Sequence, residues 1–142
     1  MKRDYPDRPI VAVGVVVLKD DHVLLIRRSK PPKPDAWSIP GGAQELGETL
    51  RQAAKREVYE ETAITIGEPQ FLDIVDYLDR EPDGAIRHHY SLIDYAATYQ
   101  SGALRAGDDA VAARWVPRDQ LSDYNLWHET EKIIYKAFGI LK

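Results

Sequence analysis

"PGGAQELGETLRQAAKREVYEETAI", Pro40 to Ile64, is the stretch that decides the reading of this chain. It opens on two glycines and closes on Glu57, Glu60 and Glu61. Leu50 to Thr62 predicts a helix: Thr49 can cap it, and Leu50, Ala54 and Val58 recur every four residues as a narrow apolar stripe. On that helix the three glutamates sit at i, i+3 and i+4 and span roughly 100° of the circumference. Val58 lies about 60° from Glu61 on the same wheel, so the acids border the stripe that is to be buried. Like charges at this spacing repel, partial burial makes the repulsion worse, and a helix C-terminus disfavours anions. Three physical terms oppose the arrangement, and a bound divalent cation reverses all three. Arg51, Lys55 and Arg56 also allow a plain solvated helix face. That simpler reading leaves unexplained the two glycines, the acid at Glu48, and the placement of the glutamates beside the core stripe.

Carboxylate oxygens in a chain without cysteine suit a hard ion, Mg²⁺ or Mn²⁺. Pro40-Gly41-Gly42 reads as a turn whose backbone can approach the helix and offer a carbonyl to the metal. Arg56 and Glu48 read as partners that steer the ligating carboxylates.

Working outward, Ile10–Leu18 is an uninterrupted β-branched run, the pattern of a strand buried on both faces. His22–Arg28 reads as a second strand ending in cations, and the proline-rich segment Ser29–Ala36 as a loop. Trp37–Ile39 is a short extended piece. Phe71–Leu78 and Arg87–Tyr99 read as longer strands joined through Arg80–Ala85, and Ser101–Ala110 as a loop. Val111–Val116 is a last strand, and Trp127–Phe138 a second helix with Ile133, Ile134, Ala137 and Phe138 facing inward. The order predicts one domain over residues 1–142, an α/β fold with a mixed sheet covered by helices on its two faces.

The composition agrees. The chain has 142 residues, 44% of them hydrophobic, with a net charge of −4. Mild acidity argues against a nucleic-acid polymer as partner, though not against a nucleotide, which needs only a local basic patch. The longest apolar run is too short to span a bilayer, and the charged N-terminus carries no signal-type apolar core. No cysteine means no disulfide and no thiol catalysis, which suits a reducing, cytoplasmic setting.

The spacing Gly42, Glu48, Arg56-Glu57-Val58-Tyr59-Glu60-Glu61-Thr62-Ala63-Ile64 closely resembles the Nudix box, with Ala63 where the family has glycine. The resemblance implies a Nudix-type α/β/α sandwich. It makes Glu57, Glu60 and Glu61 the metal-ligand candidates, with the Gly41 carbonyl beside them and Arg56 and Glu48 orienting them. The departure at Ala63 bears on the helix end, where a left-handed residue is favoured. The reaction implied is hydrolysis of a nucleoside diphosphate linked to another moiety. A carboxylate from a later loop often serves the family as general base. Asp109 is the first candidate here and Asp108 the second, with Glu60 or Glu61 as alternatives. Arg28, at a strand end near the glycines, is the candidate phosphate contact, while Arg27 should face the other way. Trp37, Tyr90 and Trp127 are candidates to stack on a base. Of His88 and His89, facing opposite ways on one strand, neither is assigned to metal.

Ile93–Val116 is similar to the ADP-ribose pyrophosphatase-like branch, which yields AMP and ribose 5-phosphate. The alternative substrate is a nucleoside triphosphate, including an oxidised one, as in the MutT-like branch. A Nudix fold that senses a nucleotide without turning it over is the rival from another class, and monomer and homodimer both stay open.

Overall fold

In the computed structural model, described for residues 2–29 and 35–141, eight strands and two α-helices form a mixed sheet faced by a helix on each side. The prolines of the expected loop over Ser29–Ala36 lie outside the described residues.

The β-branched run forms the central strand β1, Ile10–Lys19. It is followed by β2 (His22–Arg28), β3 (Trp37–Ser38) and β4 (Gly41–Ala43). Helix α1 spans Leu50–Thr62, then come β5 (Thr65–Ile66), β6 (Gln70–Arg80), β7 (Ile86–Ser101) and β8 (Ala110–Pro117). A 3-10 helix, Arg118–Tyr124, leads to helix α2, His128–Ile140. β1 pairs parallel with β7 from Ile10–Tyr90 to Leu18–Thr98, and antiparallel with both β2 and β4. β6 lies antiparallel on the far side of β7, and β8 antiparallel on β2.

Alternation along β1 builds both layers of core at once. Val13, Val15 and Val17 pack with Ala53, Ala54 and Val58 of α1, while Val16 and Leu18 pack with Ile133, Ile134, Ala137 and Phe138 of α2. Val15, Val16 and Val17 are wholly buried, as a strand covered on both faces requires. Each such side chain contributes about 1.5–3 kcal/mol on leaving water.

Helix α1 has the bounds that its cap and stripe predict. Thr49 accepts from the Gln52 amide, and the Gln52 side chain accepts from the Thr49 amide, a reciprocal capping box. At the other end Ala63 adopts the left-handed conformation, φ 63°, and its N–H reaches back to the Tyr59 carbonyl at 2.8 Å. The chain thus keeps the left-handed helix end although alanine stands where glycine is favoured.

Four expectations need correction. Gly41 and Gly42 do not form a turn: they are strand residues paired with Gly14 and Val13, and a Cβ is excluded at Gly41 by the β1 backbone and at Gly42 by the Glu57 carboxylate of α1. Strands β6 and β7 are longer than Phe71–Leu78 and Arg87–Tyr99, since the hairpin closes tightly at Glu81–Ala85 around Gly84, φ 91°. The loop expected over Ser101–Ala110 loses both end residues to strands. Trp127 precedes α2 at the N-cap, and the helix runs on to Ile140. The short β5 and the 3-10 helix have no counterpart in the sequence reading.

Candidate functional site

The acidic end of α1 and the β4 backbone are locked together. Glu57 and Glu61 are buried, 8% and 2% exposed, so the carboxylates do flank the core stripe. The Gly41 N–H donates to Glu61 Oε1 at 2.8 Å. Gly42 lies under Glu57, where an added Cβ would strike the carboxylate. Arg28 donates from Nη2 to the Gly41 carbonyl at 2.6 Å and faces Glu61 Oε2 at 3.4 Å. Arg27 turns the other way, toward the Trp37 ring.

Arg56 fans out over several acceptors. It holds Glu48 by two hydrogen bonds, Nε to Oε2 at 2.8 Å and Nη2 to Oε1 at 2.7 Å. It also donates to Glu57 Oε1 at 2.6 Å and to the Ala43 carbonyl at 3.0 Å, and it reaches Glu60 at 3.4 Å. The guanidinium thereby ties the loop before α1, strand β4 and the acidic turn into one unit. Its hydrogen bond to Glu48 raises the Arg56 pKa further and holds the Glu48 carboxyl below its ordinary value.

Burial acts in the opposite sense on the other two acids. Desolvation, outweighing the pull of Arg28, pushes Glu61 up to about 7. It raises Glu57 as well, against the pull of Arg56. Both anions are held in the folded chain at a cost.

The donor set consists of carboxylate and carbonyl oxygens packed against glycines, which fits a hard divalent cation in chemical kind. In this conformation no three acidic or histidine side chains among the described residues converge on one point. Arg56 occupies Glu57, Arg28 and the Gly41 N–H occupy Glu61, and the Gly41 carbonyl accepts from Arg28. Glu60 lines a neighbouring groove with Gln44, Glu45, Arg56 and Glu57, and Glu57 also lines the main cleft.

A cleft of about 800 Å³ opens beside Glu57 and Glu61. Asp108 and Asp109 line it, because their loop is stitched to the end of α1: the Arg105 N–H donates to the Thr62 carbonyl and the Gly107 N–H to the Glu61 carbonyl, both at 3.0 Å. Arg28 and Trp37 line it too. Trp37 also packs edge-on against Tyr124 at 5.2 Å and under Arg114. At the far end Tyr77 sits between Tyr90 and Trp127, with ring centroids 6.3 and 5.7 Å away. His88 is buried between Asp79, at 3.1 Å, and Asp4, at 2.9 Å, while His89 is half-buried.

The sequence reading brought together the acids, Gly41, Arg28 and Trp37, and missed Asp94. This aspartate lies 4% exposed on the cleft floor of β7, and burial, reinforced by Asp73, pushes its carboxyl up to about 7. An acid inside the apolar run "LIDYAA" was the available signal.

Comparison with known proteins agrees with the geometry. The family model for the NUDIX domain matches residues 8–138. An ADP-ribose pyrophosphatase of Methanocaldococcus jannaschii is 35% identical over 121 residues, 85% of this chain and 69% of that protein. A MutT Nudix hydrolase from Burkholderia pseudomallei superposes with a TM-score of 0.79 at 29% identity, over 92% of this chain and 98% of that one. The Nudix domain of Shewanella oneidensis NrtR, solved with ADP ribose, shares the fold at a TM-score of 0.78 and 23% identity, over 96% of this chain and 91% of its own. Box spacing, sandwich architecture and these likenesses together place the chain in the Nudix hydrolase family, enzymes that act on nucleoside diphosphate derivatives and in general use divalent metal ions.

Proposed function

We propose that the chain hydrolyses the pyrophosphate bond of ADP-ribose or a closely related nucleotide sugar in the presence of Mg²⁺, with Mn²⁺ as a substitute, releasing AMP and a sugar phosphate. One observation carries the reading: a single cleft joins buried Glu57 and Glu61 at one end to Tyr77, Tyr90 and Trp127 at the other. Its volume of about 800 Å³ suits a nucleoside, two phosphates and a sugar. The likeness to the M. jannaschii ADP-ribose pyrophosphatase supports the same substrate class.

Glu57, Glu60 and Glu61, with the Gly41 carbonyl, are the groups that would hold the ion. When bound, such an ion neutralises the pyrophosphate and lowers the pKa of water. Arg56 and Glu48 set the direction of the Glu57 carboxylate through the fan described above. Arg28 presents a guanidinium on the cleft wall, placed to offset phosphate charge. Asp109, with Asp108 next to it, takes the proton as water adds across the P–O–P bond; Glu60 and Glu61 are the alternatives for this role. The aromatic end stacks on the base or packs against the sugar.

Hydrolysis of a (d)NTP is the second reading, favoured by the 29% identity to a MutT Nudix hydrolase. A substrate panel with product identification in Mg²⁺ and Mn²⁺ decides between them. AMP and ribose 5-phosphate from ADP-ribose is the expected result. Turnover of triphosphates with ADP-ribose untouched overturns it, and binding without turnover of any nucleotide points to a sensing module.

A further inference from the structure

Strand register lays out the cleft floor in rows. Gly41, Gly14, Asp94 and Asp73 lie side by side across β4, β1, β7 and β6. The next row of the same face is Ala43, Ala12, Leu92 and Val75, and the one after holds Ile10, Tyr90 and Tyr77. Asp94 is thus the single acid between the Gly41 end and the aromatic end on the β7 part of this floor. Strand spacing puts it about 10 Å from Gly41, and about 13 Å along β7 from Tyr90.

Its surroundings do not satisfy it. The Asp94 carboxyl takes part in no hydrogen bond or ion pair among the described residues. A Cβ added at Gly14 would strike its Oδ1 and press on the Ile39 side chain, and Asp73 lies opposite it on β6. Its carboxyl opens on the cleft, and the absence of a side chain at Gly14 is what gives it space to do so.

We propose that Asp94 is a specificity-determining residue: its carboxyl receives the hydroxyl groups of the sugar attached to the pyrophosphate. The proposal rests on the pyrophosphatase reading above. In a nucleotide sugar the first group beyond the phosphates is a sugar in either direction, and vicinal hydroxyls supply paired donors of the kind that no described residue gives Asp94. Burial and Asp73 hold the carboxyl near neutrality in its titration, so either form can pair with a hydroxyl, the protonated one as donor as well.

The test pairs the residue with the group it reads. Asp94→Asn, nearly isosteric, and Asp94→Ala are compared with the wild type by thermal melting, then by kcat and KM. The substrates are ADP-ribose, its analogue lacking the 2-hydroxyl of the terminal ribose, its analogue lacking that of the adenosine ribose, and the hypoxanthine analogue lacking the base amine. Calorimetry with the non-hydrolysable α,β-methylene forms of the same four gives Kd without turnover. The wild type should prefer ADP-ribose over one deoxy analogue by about tenfold or more, chiefly in KM and Kd; Asp94→Ala should lose most of that preference, and Asp94→Asn, which can still accept from one hydroxyl, should keep part of it. Which deoxy analogue responds identifies the ribose. The proposal is overturned by equal binding of ribose and deoxyribose forms to the wild type, or by variants that weaken every ligand by one factor. It also falls if the effect is confined to the hypoxanthine analogue, or if no methylene form binds the wild type. Sugar discrimination in Kd without turnover sinks the pyrophosphatase reading and leaves Asp94 standing; turnover without discrimination does the reverse.

Discussion

Gly42 lies directly beneath the Glu57 carboxylate, leaving no space for a Cβ between strand β4 and helix α1. Its neighbour Gly41 is equally tight, but against the Val13 backbone of β1. The two glycines therefore answer to different constraints, and their alanine variants should separate. Gly42→Ala pushes a movable side chain out of place: activity should fall at least about a hundredfold while the melting temperature drops little. Gly41→Ala forces two backbones apart and should destabilise by several kcal/mol. Melting curves and initial rates on both variants check the contrast, and equal losses of stability would contradict it.

Glu57→Gln and Glu61→Gln should each abolish most turnover yet leave the metal-free protein as stable as the wild type or more so. Burial already opposes both charges, so removing one relieves a cost. The second measurement is the rise in melting temperature on adding Mg²⁺, which follows from binding to the folded state alone. It should be present in the wild type, larger at about pH 8 than at about pH 6 because protons compete for the ligands, and reduced in both variants. Full activity in both would remove these residues from the site.

Acidity should stabilise the metal-free chain over a defined window. Glu61 and Asp94 move from ordinary values of 4.5 and 3.8 to about 7. A carboxyl with a raised folded pKa binds its proton more tightly in the folded state. Its contribution is complete below the unfolded value and is lost as pH rises through the folded one. Denaturant midpoints should therefore climb as pH falls from about 8 to about 5, and Asp94→Asn should flatten the slope. A flat profile in the wild type would show both acids to be solvated.

Ala63→Gly should stabilise. The residue sits at φ 63°, where a Cβ costs about 1 kcal/mol and glycine pays nothing for the turn. A rise of a few degrees in melting temperature with unchanged kinetics is expected; a fall would mean that the greater freedom of glycine in the unfolded chain outweighs the relief.

How far the sequence could be read follows from where each signal lives. Helix α1 was legible to the residue, because Thr49 caps it and Leu50, Ala54 and Val58 mark its face within a short window. The sandwich was legible from Ile10–Leu18, since only a strand covered on both sides is apolar throughout. Gly41 and Gly42 were misread as a turn because glycine signals bends locally, whereas here each serves a close contact distant in the chain, Gly41 with β1 and Gly42 with Glu57 of α1. Asp94 was missed for a related reason. An acid within an apolar run was its one local signal; its place on the cleft floor depends on Gly14 lying opposite in a parallel ladder, a register between strands 80 residues apart. Glu60 follows its helical spacing only in part: it shares the adjoining groove and Arg56 with Glu57, while Glu61 faces the main cleft.

The central strand divides its labour along its length. Val15 and Val17 lie under α1 and Val16 and Leu18 under α2, whereas Ala12, Val13 and Gly14, nearer its start, line the cleft. Of these three only Val13 also packs with the residues of α1. An engineer can therefore reshape the cleft floor at Ala12 while leaving Val13, and the anchorage of the acidic helix, untouched.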